Sequence, residues 1–157
     1  LDKICMTEDF KQISEIACSH HEKYDGSGYY RHLQGEDIPY GGRILAVSDV
    51  FDAITSKRHY RDKMPIGNVI NILIKDSGTH FDKNIVDVFL SIPTDKIVQV
   101  FLTENHHELK TEDAEILSKY NLLNIFNFTN DENASQEEKN IVELFNYYYA
   151  GKTNNGE

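Results

Sequence analysis

The sequence has little cysteine, no long apolar run and few cations, and each shortage excludes something. Cys5 and Cys18 are its two cysteines. Neither belongs to a Cys-x-x-Cys pair, so a thiolate zinc site is not expected, and two thiols make no disulfide framework. Both read as free thiols on a helical approach, and a reducing cytoplasm is the expected compartment. No apolar stretch reaches the roughly 18 residues that span a bilayer. Acids outnumber bases by 26 to 16, a net charge of −10. That argues against binding a nucleic-acid backbone, which requires phosphate-neutralising cations. The strand alternation needed for a sheet is also lacking, so the expected class is all-α.

The charge is uneven. Residues 1–92 hold 11 Lys and Arg against 14 Asp and Glu, whereas residues 93–157 hold 5 against 12. Against that background Lys57, Arg58, Arg61 and Lys63 form one compact basic cluster around His59 and Tyr60. It reads either as a solvated helix end or as a place for a small phosphorylated ligand. The chain opens on Leu1-Asp2-Lys3-Ile4-Cys5-Met6, which carries no signal-peptide pattern and reads as the middle of a longer protein.

Periodicity predicts helices over 8–22, 43–56, 66–76, 82–91 and 140–150. Residues 95–103 read as a strand or a short helix. Residues 111–128 are helical at first and then Asn-rich, and 129–139 form a polar connector. Between the first two helices, 23–42 is a glycine-punctuated loop in which Gly26, Gly28, Gly35, Gly41, Gly42 and Pro39 break regular structure. The helix over 43–56 is apolar nearly all round and is expected to be buried. Asp49 and Asp52 within it would then be expensive unless paired or bound to a metal.

The chemistry concentrates early. His20 and His21 end the first helix, and Asp49 and Asp52 follow one helical turn apart. Imidazole and carboxylate suit Zn, Mn or Fe(II). A bare His-His pair is more often surface or core than ligand, and His106-His107 is read as a solvated pair of that kind. Asp52 also suits an ion pair with Arg58 or Arg61. The Asp25-Gly26-Ser27-Gly28 turn calls for positive φ. It reads as a plain tight turn or as a lip that presents Tyr29 and Tyr30 to a stacking base.

The run His20-His21-Glu22-x-x-Asp25-Gly26-x-Gly28-Tyr29, then Leu33-x-Gly35-Glu36-x-Ile38-Pro39, then Arg43-Ile44 through Asp49-Val50-Phe51-Asp52-Ala53-Ile54-Thr55-Ser56-x-Arg58-x-Tyr60-Arg61, resembles the HD-GYP subgroup of the HD-domain metal-dependent phosphohydrolases. Gly78-Thr79-His80-Phe81-Asp82 is similar to the signature that closes that domain. The resemblance covers residues 8–92 and makes 93–157 an acidic, mostly helical extension of unassigned role. It implies an HD-domain-like helical bundle holding two or three Fe or Mn ions. It implies hydrolysis of cyclic di-GMP to pGpG or GMP. His20, His21 and Asp49 fall at metal-ligand positions. Tyr29, Tyr30, Asp52, Arg58 and Arg61 fall where such proteins contact the dinucleotide. The subgroup's Gly-Tyr-Pro loop is Gly28-Tyr29-Tyr30 here, and prolines are replaced by His59 and Lys83. Its namesake His-Asp pair and two further ligands have no counterpart in this sequence; they are expected upstream, the alternative being that the natural protein lacks them. Two other readings stay open. One is a non-catalytic relative that binds cyclic di-GMP or a partner such as a diguanylate cyclase or an upstream sensory domain. The other is a hydrolase for a different phosphorylated substrate.

Overall fold

The computed structural model describes residues 8–56, 63–103 and 108–151, with side chains of the first helix from Ile13 onward. Among the described residues there are eight α-helices: α1 (Glu8–Ser19), α2 (Tyr40–Thr55), α3 (Ile66–Lys75), α4 (Lys83–Leu90), α5 (Thr94–Thr103), α6 (Thr111–Leu117), α7 (Leu122–Asn130) and α8 (Gln136–Tyr149). The all-α expectation holds, with two isolated bridges as the only β-type pairing among them. The chain forms two compact units. One comprises residues 1–62 and 71–87, the other 63–70 and 88–157, so the division runs through α3 and α4. No helix of the described residues is long and apolar enough to cross a membrane.

In the first unit α1 packs on α2. A Cβ on Gly41 would stand 2.8 Å from Ile16 Cδ1, and one on Gly42 would stand 2.9 Å from Ser19 Cβ. The two glycines therefore do not break the chain, as the sequence suggested. They lie in the first turn of α2, where lacking a side chain lets the helices approach. α2 is also less buried than its composition predicts. Its buried positions are Gly42, Ala46, Val47, Phe51 and Thr55, a single stripe of mostly i, i+4 spacing. Ile44 and Leu45 are 41% and 38% exposed, and Asp49 and Asp52 are exposed as well. The cost of a buried charge thus does not apply to either aspartate.

The second unit is built on α8, which packs against α5, α6 and α7. Ile141, Phe145, Tyr148 and Tyr149 form its buried face. The 95–103 segment is a helix, since Ile97, Val98, Phe101 and Leu102 are buried on one side, a spacing that only the helical period aligns. Its start is pinned by Thr94, whose N–H donates to Tyr120 O at 2.8 Å and whose hydroxyl donates to Leu117 O at 2.7 Å. The Asn-rich stretch after α6 divides at Asn121, which forms a reciprocal capping box with Asn124. Ser135 and Glu138 form a second box, so α8 begins four residues earlier than its apolar pattern suggests.

The end of α8 is tied to the start of this unit. Tyr149 donates its hydroxyl to Met64 O at 2.5 Å, and Lys63 Nζ donates to Tyr149 O at 3.1 Å, a cation at a helix C-terminus. Tyr148 donates to the Asp113 carboxylate. Burial, the largest cause for both, pushes the two phenols up to about 12, with the Asp113 hydrogen bond adding for Tyr148. An unfolded tyrosine ionises near 10. The folded state therefore holds these protons more tightly, and the stability they contribute is present below about pH 10 and lost toward about pH 12. The thermal midpoint, followed by circular dichroism, is expected to fall across that window, and to fall less in Tyr148→Phe.

Candidate functional site

α1 ends at Ser19, so His20 and His21 stand just past the helix rather than within it. His20 is half-buried, and its Nδ1 lies 2.5 Å from Ala17 O. A carbonyl oxygen can only accept, so Nδ1 carries a proton, and in the neutral imidazole the lone pair is on Nε2. Metal-bound histidines are commonly oriented by this kind of contact. The His20 and His21 ring centroids are 3.8 Å apart with the planes tilted by 41°. The exposed His21 ring in turn stacks on Tyr29, at 4.9 Å between centroids and 20° between planes.

The loop that follows is held from two directions. On one side, Tyr24 N donates to His80 O at 3.0 Å and Asp25 N to Thr79 O at 2.8 Å. The Gly78–Asp82 segment is thereby fixed to the start of the loop. Asp82 accepts from Arg43 Nη1 at 2.6 Å and from Asn84 N at 2.9 Å, capping α4. The Arg43–Asp82 pair is largely buried, at 14% and 4% side-chain exposure. On the other side, the Glu22 carboxylate accepts from Arg31 N at 2.7 Å and Leu33 N at 3.1 Å.

Gly26 has φ +82, as the turn requires, but Gly28 serves differently. A Cβ there would lie 2.3 Å from Lys23 N and 2.6 Å from Glu22 Cα. Its requirement is steric rather than conformational. Among the described residues, the non-glycine positions with positive φ are Tyr30, at 94°, and His32, at 54°. Proline is fixed near −65°, so the Gly-Tyr-Tyr loop of this chain has a backbone that a Gly-Tyr-Pro sequence cannot copy.

The electrostatics are local. Two hydrogen bonds from Ser27 hold the exposed Asp25 carboxyl below the usual carboxylate range. Burial, reinforced by Lys23, holds the His80 imidazole below its usual value. Beneath the loop a cavity of about 10 Å³ is lined in part by Glu22, Tyr24, Arg43, His80 and Asp82. That is room for one water and not for a nucleotide. A ligand at this loop would therefore lie over its outer side, where Tyr29 and Tyr30 are 60% and 75% exposed.

The structure brings together His20, His21 and Tyr29. Asp49 and Asp52 project from α2 in exposed positions, and Asp52 accepts from the Ser56 hydroxyl at 3.0 Å. Among the described residues, no three His, Cys, Asp or Glu side chains form a group that could hold a metal ion. His20, His21 and Asp49 therefore do not constitute a metal centre by themselves, although the His20 tautomer suits a ligand. Arg58, Arg61 and the His106-His107 pair lie outside the described residues. Cys18 is a free, exposed thiol. Sequence reasoning gave no role to Glu22, Arg43 or Asp82. All three stand in the motif runs; only Arg43, between Gly42 and Ile44, has neighbours that hint at burial, whereas Glu22 lies between His21 and Lys23 and Asp82 is followed by Lys83.

A family model for the HD domain matches residues 2–85. The 3'3'-cGAMP-specific phosphodiesterase 2 of Vibrio cholerae is 49% identical over 76 residues, 48% of this chain and 15% of its own length. A cyclic di-GMP phosphodiesterase of the same organism is 45% identical over 87 residues, 55% of this chain and 18% of its own. A cyclic di-GMP phosphodiesterase of Thermotoga maritima is 36% identical over 101 residues, 64% of this chain and 26% of its own. The chain thus spans 15% to 26% of the length of these relatives.

Substitutions at two positions check the loop geometry. Gly28→Ala places a methyl group against backbone that cannot yield, so a loss of about 3 kcal/mol or more is expected in denaturant unfolding. Tyr30→Gly removes the penalty of a side chain at positive φ and should stabilise by about 1 kcal/mol, whereas Tyr30→Pro should destabilise. A Gly-Tyr-Pro-like backbone in solution would reverse those two signs.

Proposed function

The chain belongs to the HD-domain family, in its HD-GYP subgroup, and from that premise we propose that it forms part of a metal-dependent phosphodiesterase that hydrolyses cyclic di-GMP to pGpG or GMP. The observation that carries the reading is the His20-His21 pair held at the end of α1, with one imidazole fixed by Ala17 O and the other stacked on Tyr29. His20 offers Nε2, His21 its exposed ring and Asp49 an exposed carboxylate as part of a ligand set for Fe or Mn, completed by groups beyond these three. Such ions, when bound, lower the pKa of a coordinated water and neutralise charge on phosphoryl oxygens.

The rest of the proposed work falls to side chains of this segment. Tyr29 and Tyr30 offer ring faces to a purine base. Arg58 and Arg61 supply bidentate donors to phosphate, and Asp52 accepts hydrogen bonds from a guanine edge. A second reading is favoured by the Tyr30 backbone: a lip that differs from Gly-Tyr-Pro suits a protein that binds a cyclic dinucleotide, or a signalling partner, without turnover.

The test is turnover by the natural protein, loaded anaerobically with Fe(II) or Mn(II), with cyclic di-GMP and 3'3'-cGAMP as competing substrates. Release of pGpG or GMP, reduced more than about hundredfold by Asp49→Ala, is the expected result. Binding without product from a metal-loaded protein would sink the catalytic reading and leave the second. Product from 3'3'-cGAMP alone would keep the enzyme and change its substrate.

A further inference from the structure

Glu22 is 2% exposed, yet its carboxylate faces two main-chain N–H groups, those of Arg31 and Leu33. Those amides flank His32, which has positive φ, and the first of them directly follows Tyr30, which has positive φ as well. Amides brought together by left-handed residues form a concave site that suits an anion. Here the anion is supplied by the chain itself. The same residue also meets the lip through its backbone, because Gly28 packs on Glu22 Cα, and Tyr29 N donates to the neighbouring His21 O at 3.4 Å. Non-glycine residues at positive φ persist only where their surroundings over-determine them, and two hydrogen bonds to one buried charge do so.

We propose that Glu22 is the positioning residue of the ligand-facing lip: an internal anion that fixes the 30–33 turn in its left-handed form and so keeps Tyr29 on His21 and Tyr30 facing outward. Its consequence for turnover rests on the reading of this loop as part of a cyclic-dinucleotide site. The clamp itself does not. Because proline cannot take the Tyr30 conformation, the lip shape that Glu22 holds is one that a Gly-Tyr-Pro loop lacks, and ligand preference is set by that turn.

Glu22→Gln is the discriminating variant. It leaves one acceptor oxygen and turns an NH2 group toward the other amide. In NMR of the natural protein, hydrogen-bond couplings are expected from the Glu22 carboxylate carbon to the Arg31 and Leu33 amides. In the variant, at least one of these amides should exchange tenfold faster or more, and the His21 ring signals should lose the shift caused by Tyr29. KM for the cyclic dinucleotide should rise about tenfold, with kcat changing far less. Unchanged amide exchange and His21 signals would overturn the clamp. A released lip with unchanged KM in an active enzyme would overturn its positioning role. Should the variant fail to fold, absence of the couplings in the unmodified protein overturns the proposal, and their presence upholds the clamp. If the unmodified protein turns over no cyclic dinucleotide, the functional reading fails while the NMR measurements still decide the clamp.

Discussion

A carboxylate taken out of water must find donors or a cation, or it destabilises the fold by several kcal/mol. Among its described residues the first unit meets that constraint at Glu22 and Asp82, and its loop geometry follows from the two solutions. Asp82 is satisfied by a guanidinium and a helix N-terminus, through Arg43 and Asn84 N. Glu22 is satisfied by main-chain amides, through Arg31 and Leu33. The first solution joins α2 to the start of α4. The second joins the end of α1 to the far side of the loop. Removing one partner of the Arg43–Asp82 pair would leave the other charge buried, which costs more than the intact pair contributes.

The loop between α1 and α2 has a single 3-10 turn, Gly35–Asp37, as its regular structure, so its order comes mainly from these contacts and from backbone pairing with residues 79 and 80. Close approach does the rest. Gly41 and Gly42 allow α2 against Ile16 and Ser19, and Gly28 lies against the backbone of Glu22 and Lys23. The exposed Arg31–Glu15 contact at 3.4 Å adds little, as ion pairs in water contribute well under 1 kcal/mol. The result is an open lip, with two tyrosine rings and an imidazole pair at one edge of a helix end.

Much of this was legible in the sequence, and the exceptions are physical. Helices with a clear apolar stripe, such as α3 and α4, lie within a residue or so of their predicted bounds. The 95–103 segment is ambiguous from sequence because nine apolar-rich residues fit either period until their neighbours are known. α2 misled in another way. Its composition is apolar on every side, yet Ile44, Leu45, Asp49 and Asp52 remain exposed, because composition does not say how many faces have a partner. The Ser135-x-x-Glu138 capping box was readable as a pattern, but the polar run around it masked the start of α8. Glu22 stands in the His20-His21-Glu22 run with neighbours that signal no role for it. Nothing local marks a glutamate as buried when its partners are amides 9 and 11 residues further on.

Position 30 shows how one residue type carries structural information in both directions. A proline there would fix φ by its ring and need no help from its neighbours. A tyrosine at φ 94 needs the turn to be held from outside. The Glu22 carboxylate supplies that hold, and its reach extends to Tyr29 and thus to His21. The same reasoning applies to His20, whose ring is set by a main-chain carbonyl rather than by a ligand. Both imidazoles are therefore oriented by the protein's own hydrogen bonds and ring contacts. Groups oriented in advance lose less freedom when they bind, so this helix end offers its donors to a metal or nucleotide at a lower entropic cost than a flexible loop would.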